Sequence, residues 1–346
     1  WSSDVCSSDL HLIQQKHEVT LFERNAYVGG HTRTWVLAEG PDAGTPVDTG
    51  FIVFNDRTYP NFEKFLASVG AARKLSDMSF SCCDETSGLA YSGSGIPGLF
   101  ARGRYVFSPS HWKFIAGIVR FTRRARLLHL RGDLAGITLG EFCLREKIPA
   151  PVVDNYVLPM ALAIWSSPFT GIREFPMDSL ARFYENHGLL SFTDRPTWYT
   201  VEGGSHAYVK LFLEKFTGTV KTGTPVVRVA RGGNGVRVET RGGDSPVFDA
   251  VVLAAHADEA LAMLAHPGPR ESALLGAWEY SRNRVVLHTD GNFLPPVKRA
   301  RASWNYLRFA GHTGDDPACL TYYMNRLQGI RGAVDYLVTL NPPREI

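Results

Sequence analysis

Glu23 closes the run HEVTLFE, residues 17–23, whose β-branched and aromatic residues point to a short strand. In a dinucleotide-binding βαβ unit, an acid at the end of the second strand accepts hydrogen bonds from the adenosine ribose hydroxyls. The glycine loop of such a unit lies roughly 20 residues earlier. Glycine is needed there because the backbone must turn tightly and approach the diphosphate, with helix N–H groups aimed at it. That stretch is WSSDVC here, residues 1–6, and contains no glycine. Taken alone, Glu23 reads as an exposed strand-end acid. Gly29-Gly30-His31 and Asp48-Thr49-Gly50 follow it at fixed spacing, and the combination points to nucleotide chemistry; taken separately, the glycines mark two ordinary turns.

Other chemistries find less support. The eleven histidines show no H-E-x-x-H or comparable spacing, so no metal is implied. Ser94 lies in G-S-G without the strand–turn–helix frame of a nucleophile elbow. The five cysteines, Cys6, Cys82, Cys83, Cys143 and Cys319, form no C-x-x-C. An odd count with irregular spacing points to free thiols in a reducing compartment, so a cytoplasmic location is expected.

The elements that must position these residues alternate in texture. Thr32 to Leu37 and Val47 to Phe54 are expected to be extended, the second with a glycine at a close approach. Phe62, Phe65, Leu66 and Val69 recur at helical spacing before Gly70. A helical middle section contains residues 111–130, 139–147 and 151–165, and Pro168 to Trp198 is expected to be irregular. HAYVKLFLEKF reads as a helix after Gly203-Gly204. PVVRVARGGNGVRVET and VFDAVVLAA then read as a hairpin-like unit feeding a buried strand. Further strands are expected at 284–290, 319–324 and in YLVTL.

The segment LFERNAYVGGHTRT resembles the one that follows the glycine loop in flavin-containing amine oxidases, protoporphyrinogen oxidases and phytoene desaturases. The resemblance implies that Glu23 binds ribose and that Gly29, Gly30 and His31 lie near the FAD phosphates, with Thr34 close by. His31 is shorter than the arginine usual there. VDTGFIVF resembles the segment beside the flavin ring, which would place Gly50 and Phe51 there. VEGGSHAYVKLF is similar to the helix start on which these enzymes re-enter the FAD domain. GTPVVRVARGGNGVRVETRGG resembles the stretch that meets the adenine, near Val226. A closer similarity is to bacterial proteins described as NAD/FAD-binding or amine-oxidase-like, carried by DTGFIVFNDRTYPNF, LPMALAIWS, NHGLL, WNYLR, MNRLQG and LNPPRE. Trp165, Asn186, His187 and Trp304 in those motifs, together with Trp198, are candidates to line a substrate cavity, or else core aromatics and their neighbours. Arg284 falls where amine oxidases place a lysine that holds water near the flavin; arginine cannot titrate in that role, and the plain alternative is a surface arginine.

The fold class this implies is α/β: a Rossmann-like FAD-binding domain with an inserted mixed α+β substrate domain. FAD-binding residues are expected at 11–75 and 200–265, and substrate-domain residues at 76–199 and 266–346. Residues 1–10 read as a non-native leader, and the chain reads as truncated at both ends, before the glycine loop and before a segment that closes over the flavin. The expected activity is hydride transfer from a hydrophobic amine, lipid or polyene to flavin. The alternatives are a non-catalytic flavin- or nucleotide-binding protein, and a lipid-surface module with a decayed flavin site.

With 346 residues, 44% hydrophobic and 21% charged, the chain can build two domains with substantial cores. No stretch is apolar for 18 residues, so no membrane-spanning helix is expected. A net charge of +3 is too small to argue for nucleic acid. Residues 86–132 nevertheless hold eight Arg or Lys and no Asp or Glu. The helix within them, with basic residues among Trp112, Phe114, Ile115, Ile118 and Phe121, reads in two ways. It is a surface helix giving peripheral contact with an anionic membrane through 102–131, or a solvated basic face whose apolar side lies in the core.

Overall fold

The computed structural model describes residue 14 and residues 16–165, 169–191, 193–311 and 318–346. The expected leader at 1–10 and Cys6 lie outside the described residues. The chain forms two compact units. The first comprises residues 1–34, 59–73 and 201–280; the second comprises 35–58, 74–200 and 281–346.

In the first unit, the strand Thr20–Phe22 pairs in parallel with Thr219–Lys221. The helix Pro60–Val69 starts on a proline, whose fixed φ and missing N–H suit a first turn, and stops at Gly70 with φ +83°. Phe62, Phe65, Leu66 and Val69 are its buried stripe. That stripe meets the buried face of the helix His206–Lys215: Tyr208 lies edge-on to Phe62 at 5.3 Å and to Phe65 at 5.8 Å. Val226–Gly232 and Gly235–Thr240 form an antiparallel hairpin around Gly233-Asn234. Gly235 has φ +119°, and a Cβ there would lie 2.5 Å from the Phe248 carbonyl oxygen.

The buried strand expected in VFDAVVLAA is not formed. Only Val247–Phe248 pairs, with the hairpin, while 251–254 pair with no strand among the described residues and Val252 is 70% exposed. A parallel strand is stabilised by neighbours on its edges, and β-branched composition does not supply them.

The second unit is built on a six-stranded sheet. Its spatial order is Val285–His288, Leu337–Leu340, Cys319–Tyr323, Trp304–Arg308, Phe80–Asp84 and Leu89–Ser92. All neighbours are antiparallel except Trp304–Arg308 with Phe80–Asp84. The single strand expected over 47–54 is two pieces: Pro46–Asp48 pairs with Thr34–Val36, and Phe54–Asn55 pairs with Trp198–Val201. The chain turns between them because Asp48, fully buried, is held by Gln328. The Asp48 N–H donates to Gln328 Oε1 at 2.9 Å, and Gln328 Nε2 donates to Asp48 Oδ2 at 2.9 Å. This clamp places residues 35–58 with the second unit.

The long helix Pro109–Arg131 is capped by Ser108, whose hydroxyl accepts the His111 N–H, and ends at Gly132 with φ +75°. Gly117 lets it approach a second helical stretch, since a Cβ there would lie 2.5 Å from Val152 Cγ2. The segment expected to be irregular contains a helix, Met177–Asn186, whose buried Met177, Leu180, Ala181 and Tyr184 recur at i, i+3, i+4 and i+7. Four described cysteines, Cys82, Cys83, Cys143 and Cys319, are free and buried. No described helix is long and apolar enough to cross a membrane.

Phe121 is fully buried in this unit, edge-on to Phe142 at 5.7 Å and to Tyr156 at 6.2 Å. Removing its ring loses transfer free energy and leaves a cavity, so Phe121→Ala should cost about 3–5 kcal/mol in denaturant unfolding. A loss below 1 kcal/mol would contradict this packing.

Candidate nucleotide and substrate site

Glu23 sits at the end of the parallel pair, and its backbone is fixed on both sides. Its N–H donates to Lys221 O at 2.9 Å and its carbonyl accepts from Thr224 N at 2.9 Å. One carboxylate oxygen, Oε1, accepts the Asn25 N–H at 2.8 Å, an Asx-like turn that orients the group. The other oxygen has no hydrogen-bond partner among the described residues. Val226 opens the adjacent hairpin two residues after Thr224 and is half-buried.

The chain then turns through Gly29 and Gly30, with φ +124° and +54°. Both lie in the left-handed half of backbone space that side chains disfavour. The Thr32 N–H closes the turn on the Gly29 carbonyl at 2.8 Å. A Cβ on Gly29 would lie 3.1 Å from Thr32 O and 3.3 Å from His206 Cδ2, whereas nothing lies within 4 Å of one on Gly30. Gly30 is exposed and presents bare backbone.

A helix far along the chain holds this turn. His206 Nε2–H donates to the Val28 carbonyl at 3.0 Å, and the His206 backbone N–H donates to Thr34 Oγ1 at 2.9 Å. Ser205, at the N-cap, makes no side-chain cap bond, so Thr34 caps the helix from outside it. The Thr32 and Tyr208 hydroxyls lie 2.5 Å apart. The resemblance places Thr34 near the cofactor, but no local pattern in the sequence indicates this cap or the part played by His206.

His31 stacks on His256 at 5.3 Å, and His256 stacks on Tyr280 at 4.2 Å. Burial lowers the His31 pKa, and the neighbouring His256 lowers it further. His31 therefore favours the neutral imidazole, a hydrogen-bonding group rather than a fixed cation. Gly50 and Phe51 belong to the second unit, where Gly50 is exposed and Phe51 half-buried, just after the Asp48–Gln328 clamp.

The donors and acceptors of the first unit fit a dinucleotide. A strand-end carboxylate with an unused oxygen suits a ribose diol, and open glycine backbone suits a diphosphate.

In the second unit, Trp165, His187 and Trp198 share one aromatic group. Trp165 lies 4.7 Å from Phe175 and 5.1 Å from Phe183; His187 stacks on Phe183 at 3.9 Å and on Trp198 at 6.1 Å. His187 Nδ1–H donates to the Phe183 carbonyl at 2.8 Å, leaving Nε2 as acceptor, 3.5 Å from Thr58 Oγ1. The Thr58 hydroxyl donates to Asn55 Oδ1 at 3.1 Å. Burial lowers the His187 pKa, partly opposed by the Phe183 bond. Asn55 Nδ2 and the Tyr184 hydroxyl are buried without hydrogen-bond partners among the described residues. Trp304 lies on the sheet beside Tyr322 at 5.0 Å, its indole N–H buried and without a hydrogen-bond partner among the described residues. Asn186 is exposed, in contrast to its neighbour His187. Arg284 is exposed too, with its backbone exchanging hydrogen bonds with Asn341.

Comparison with known proteins places these features in a family. The family model described as flavin containing amine oxidoreductase matches residues 10–328. Among solved structures, a double mutant of putrescine oxidase superposes with a TM-score of 0.69 at 13% identity, covering 98% of this chain and 74% of that one. A fatty acid isomerase from P. acnes gives 0.62 at 14% identity, covering 100% and 77%. A putative protoporphyrinogen oxidase from an Exiguobacterium species gives 0.61 at 12%, covering 98% and 74%. No curated protein matches the sequence significantly.

His187 generates a pH prediction. Its folded pKa lies below the unfolded value of about 6.5, so the unfolded chain takes up the extra proton first. Its contribution to stability is full above about pH 6.5 and is lost as pH falls through the folded pKa. Chemical unfolding measured between pH 7.5 and 5 should show this loss, and His187→Gln should reduce its slope. An unchanged slope would remove His187 from the account.

Proposed function

The chain belongs to the flavin-containing amine oxidoreductase family, which makes it an FAD-dependent oxidoreductase, and we propose that its substrate is a hydrophobic amine, a lipid or a polyene. The observation that carries the cofactor part of this reading is the Glu23 carboxylate with its unused oxygen, fixed by Lys221 and Thr224 six residues before the Gly29-Gly30 turn that His206 holds. Glu23 would take the adenosine ribose, the Gly29-Gly30 backbone would meet the diphosphate, and His31 would offer a neutral imidazole beside it. Bound FAD supplies the hydride acceptor. Gly50 and Phe51 are proposed as the chain's contribution beside the flavin ring, and Val226 as its contribution at the adenine.

The substrate class rests on the aromatic group of Trp165, Phe183, His187 and Trp198, which suits an apolar molecule. His187 keeps one acceptor nitrogen with only a long contact to Thr58, so it can receive a proton or orient a polar end of the substrate. The structural neighbours act, by their descriptions, on an amine, a fatty acid and a porphyrinogen. This range supports the class without narrowing it.

The test is the visible spectrum of the purified protein, with candidate amines, unsaturated lipids and polyenes added in the absence of oxygen. Flavin absorbance that one class bleaches is the expected result. Bound flavin that none reduces indicates a non-catalytic binder, and absence of flavin contradicts the reading. In the flavin-bound protein, Glu23→Ala should weaken FAD binding by about 1–3 kcal/mol, the loss of charge-assisted hydrogen bonds. Unaltered affinity in a fluorescence titration would exclude Glu23 from the site.

A further inference from the structure

The helix Pro109–Arg131 has two faces of different chemistry. Phe114, Gly117, Ile118, Phe121, Ala125 and Leu128 are buried, so the apolar side expected to lie in the core does lie there. The opposite face departs from an ordinary solvated surface. Its exposed positions from Trp112 onward are Lys113, Arg120, Arg123 and Arg131 among Trp112, Ala116, Leu127 and Leu130. At 100° per residue all eight fall within one arc of about 100°. Trp112 is 51% exposed and Leu130 67%; Phe107, just before the helix, is 87% exposed and Val106 47%.

The charges on this face are not tied up in ion pairs among the described residues, and Arg120 adds only a through-space attraction to Glu146. Arg124 and Arg126 point elsewhere and pair with Glu146 and Glu185. Lys113, Arg120, Arg123 and Arg131 form no ion pair among the described residues. No acid occurs between residues 86 and 132. The face is thus a stripe of cations without ion pairs among the described residues, roughly 27 Å long from Lys113 to Arg131 at 1.5 Å per residue, carrying large apolar side chains in water.

We propose that this face docks the second unit onto an anionic lipid bilayer, with the helix lying in the plane of the interface. Free cations meet anionic headgroups, Trp112 sits at headgroup depth, and Phe107, Leu127 and Leu130 enter the acyl boundary. A bilayer fits better than nucleic acid because polyphosphate chains offer no apolar phase for Phe107, Leu127 and Leu130. The helix does not cross, since no described helix is long and apolar enough to do so.

The test uses the full chain and sedimenting vesicles of phosphatidylcholine, with and without phosphatidylglycerol. Binding is expected only to the anionic vesicles and should fall as salt rises, because screening shortens the reach of exposed charge to about 10 Å at 0.1 M. Arg120→Glu with Arg123→Glu should lower partitioning about tenfold or more. Phe107→Ser should lower it at unchanged charge. Both variants alter exposed side chains that form no hydrogen bond or ion pair among the described residues, and equal thermal unfolding verifies that they fold. No binding, equal binding to neutral vesicles, or salt-independent binding would overturn the proposal. Binding that resists either variant would overturn it as well, since adsorption through charge alone spares Phe107→Ser.

Discussion

The parallel pairing of Thr20–Phe22 with Thr219–Lys221 is the constraint on which the first unit depends. It joins the first and last segments of that unit's sequence and fixes the residue that follows, Glu23. The Lys221 carbonyl and the Thr224 amide hold the Glu23 backbone, so the carboxylate projects from a defined place. A slip of one residue would turn Leu21 and Phe22 onto opposite faces and carry the carboxylate with them. His206 adds the second restraint. Its backbone N–H takes Thr34 and its ring takes the Val28 carbonyl, so one residue brackets the glycine turn from both sides. Substituting either glycine would strain a conformation that these bonds impose.

The second unit uses other means. Its six-stranded sheet supplies a broad floor, and the buried Asp48–Gln328 clamp stops the segment before Gly50 from running on as a strand. Aromatic rings do most of the packing around Trp165 and His187. They leave polar atoms in apolar surroundings, the Tyr184 hydroxyl and Asn55 Nδ2 among them, without hydrogen-bond partners among the described residues. Buried polar groups normally find partners, and exceptions mark places where something other than stability has been selected. Here they flank the histidine whose burial keeps it neutral.

What could be read from the sequence was local. Gly29-Gly30 is visible because only glycine accepts those φ values at low cost, and the helix at 60–69 is visible from its spacing. Both the α/β class and the flavin family were legible from segments that keep their local pattern. The residues that hold the site were not. Thr34 caps a helix 172 positions away, and no local rule announces that. The helix Met177–Asn186 was hidden by a neighbourhood rich in proline and aromatics, although its apolar stripe was present. Residues 251–254 mislead in the opposite direction, since their composition suits a strand but no neighbour pairs with them among the described residues. Asn186 and His187, adjacent in one motif, separate into an exposed and a buried residue because a helix ends there.

We propose that the Gly29-Gly30 turn and Glu23 hold the nucleotide half of FAD. Amide hydrogen exchange, followed with and without added FAD, tests it most directly. The account predicts slowed exchange at Gly29, Gly30 and His31, where bare backbone would meet the diphosphate, and at Asn25, whose N–H is bonded to Glu23. Tight FAD binding with exchange unchanged at all four amides would contradict it.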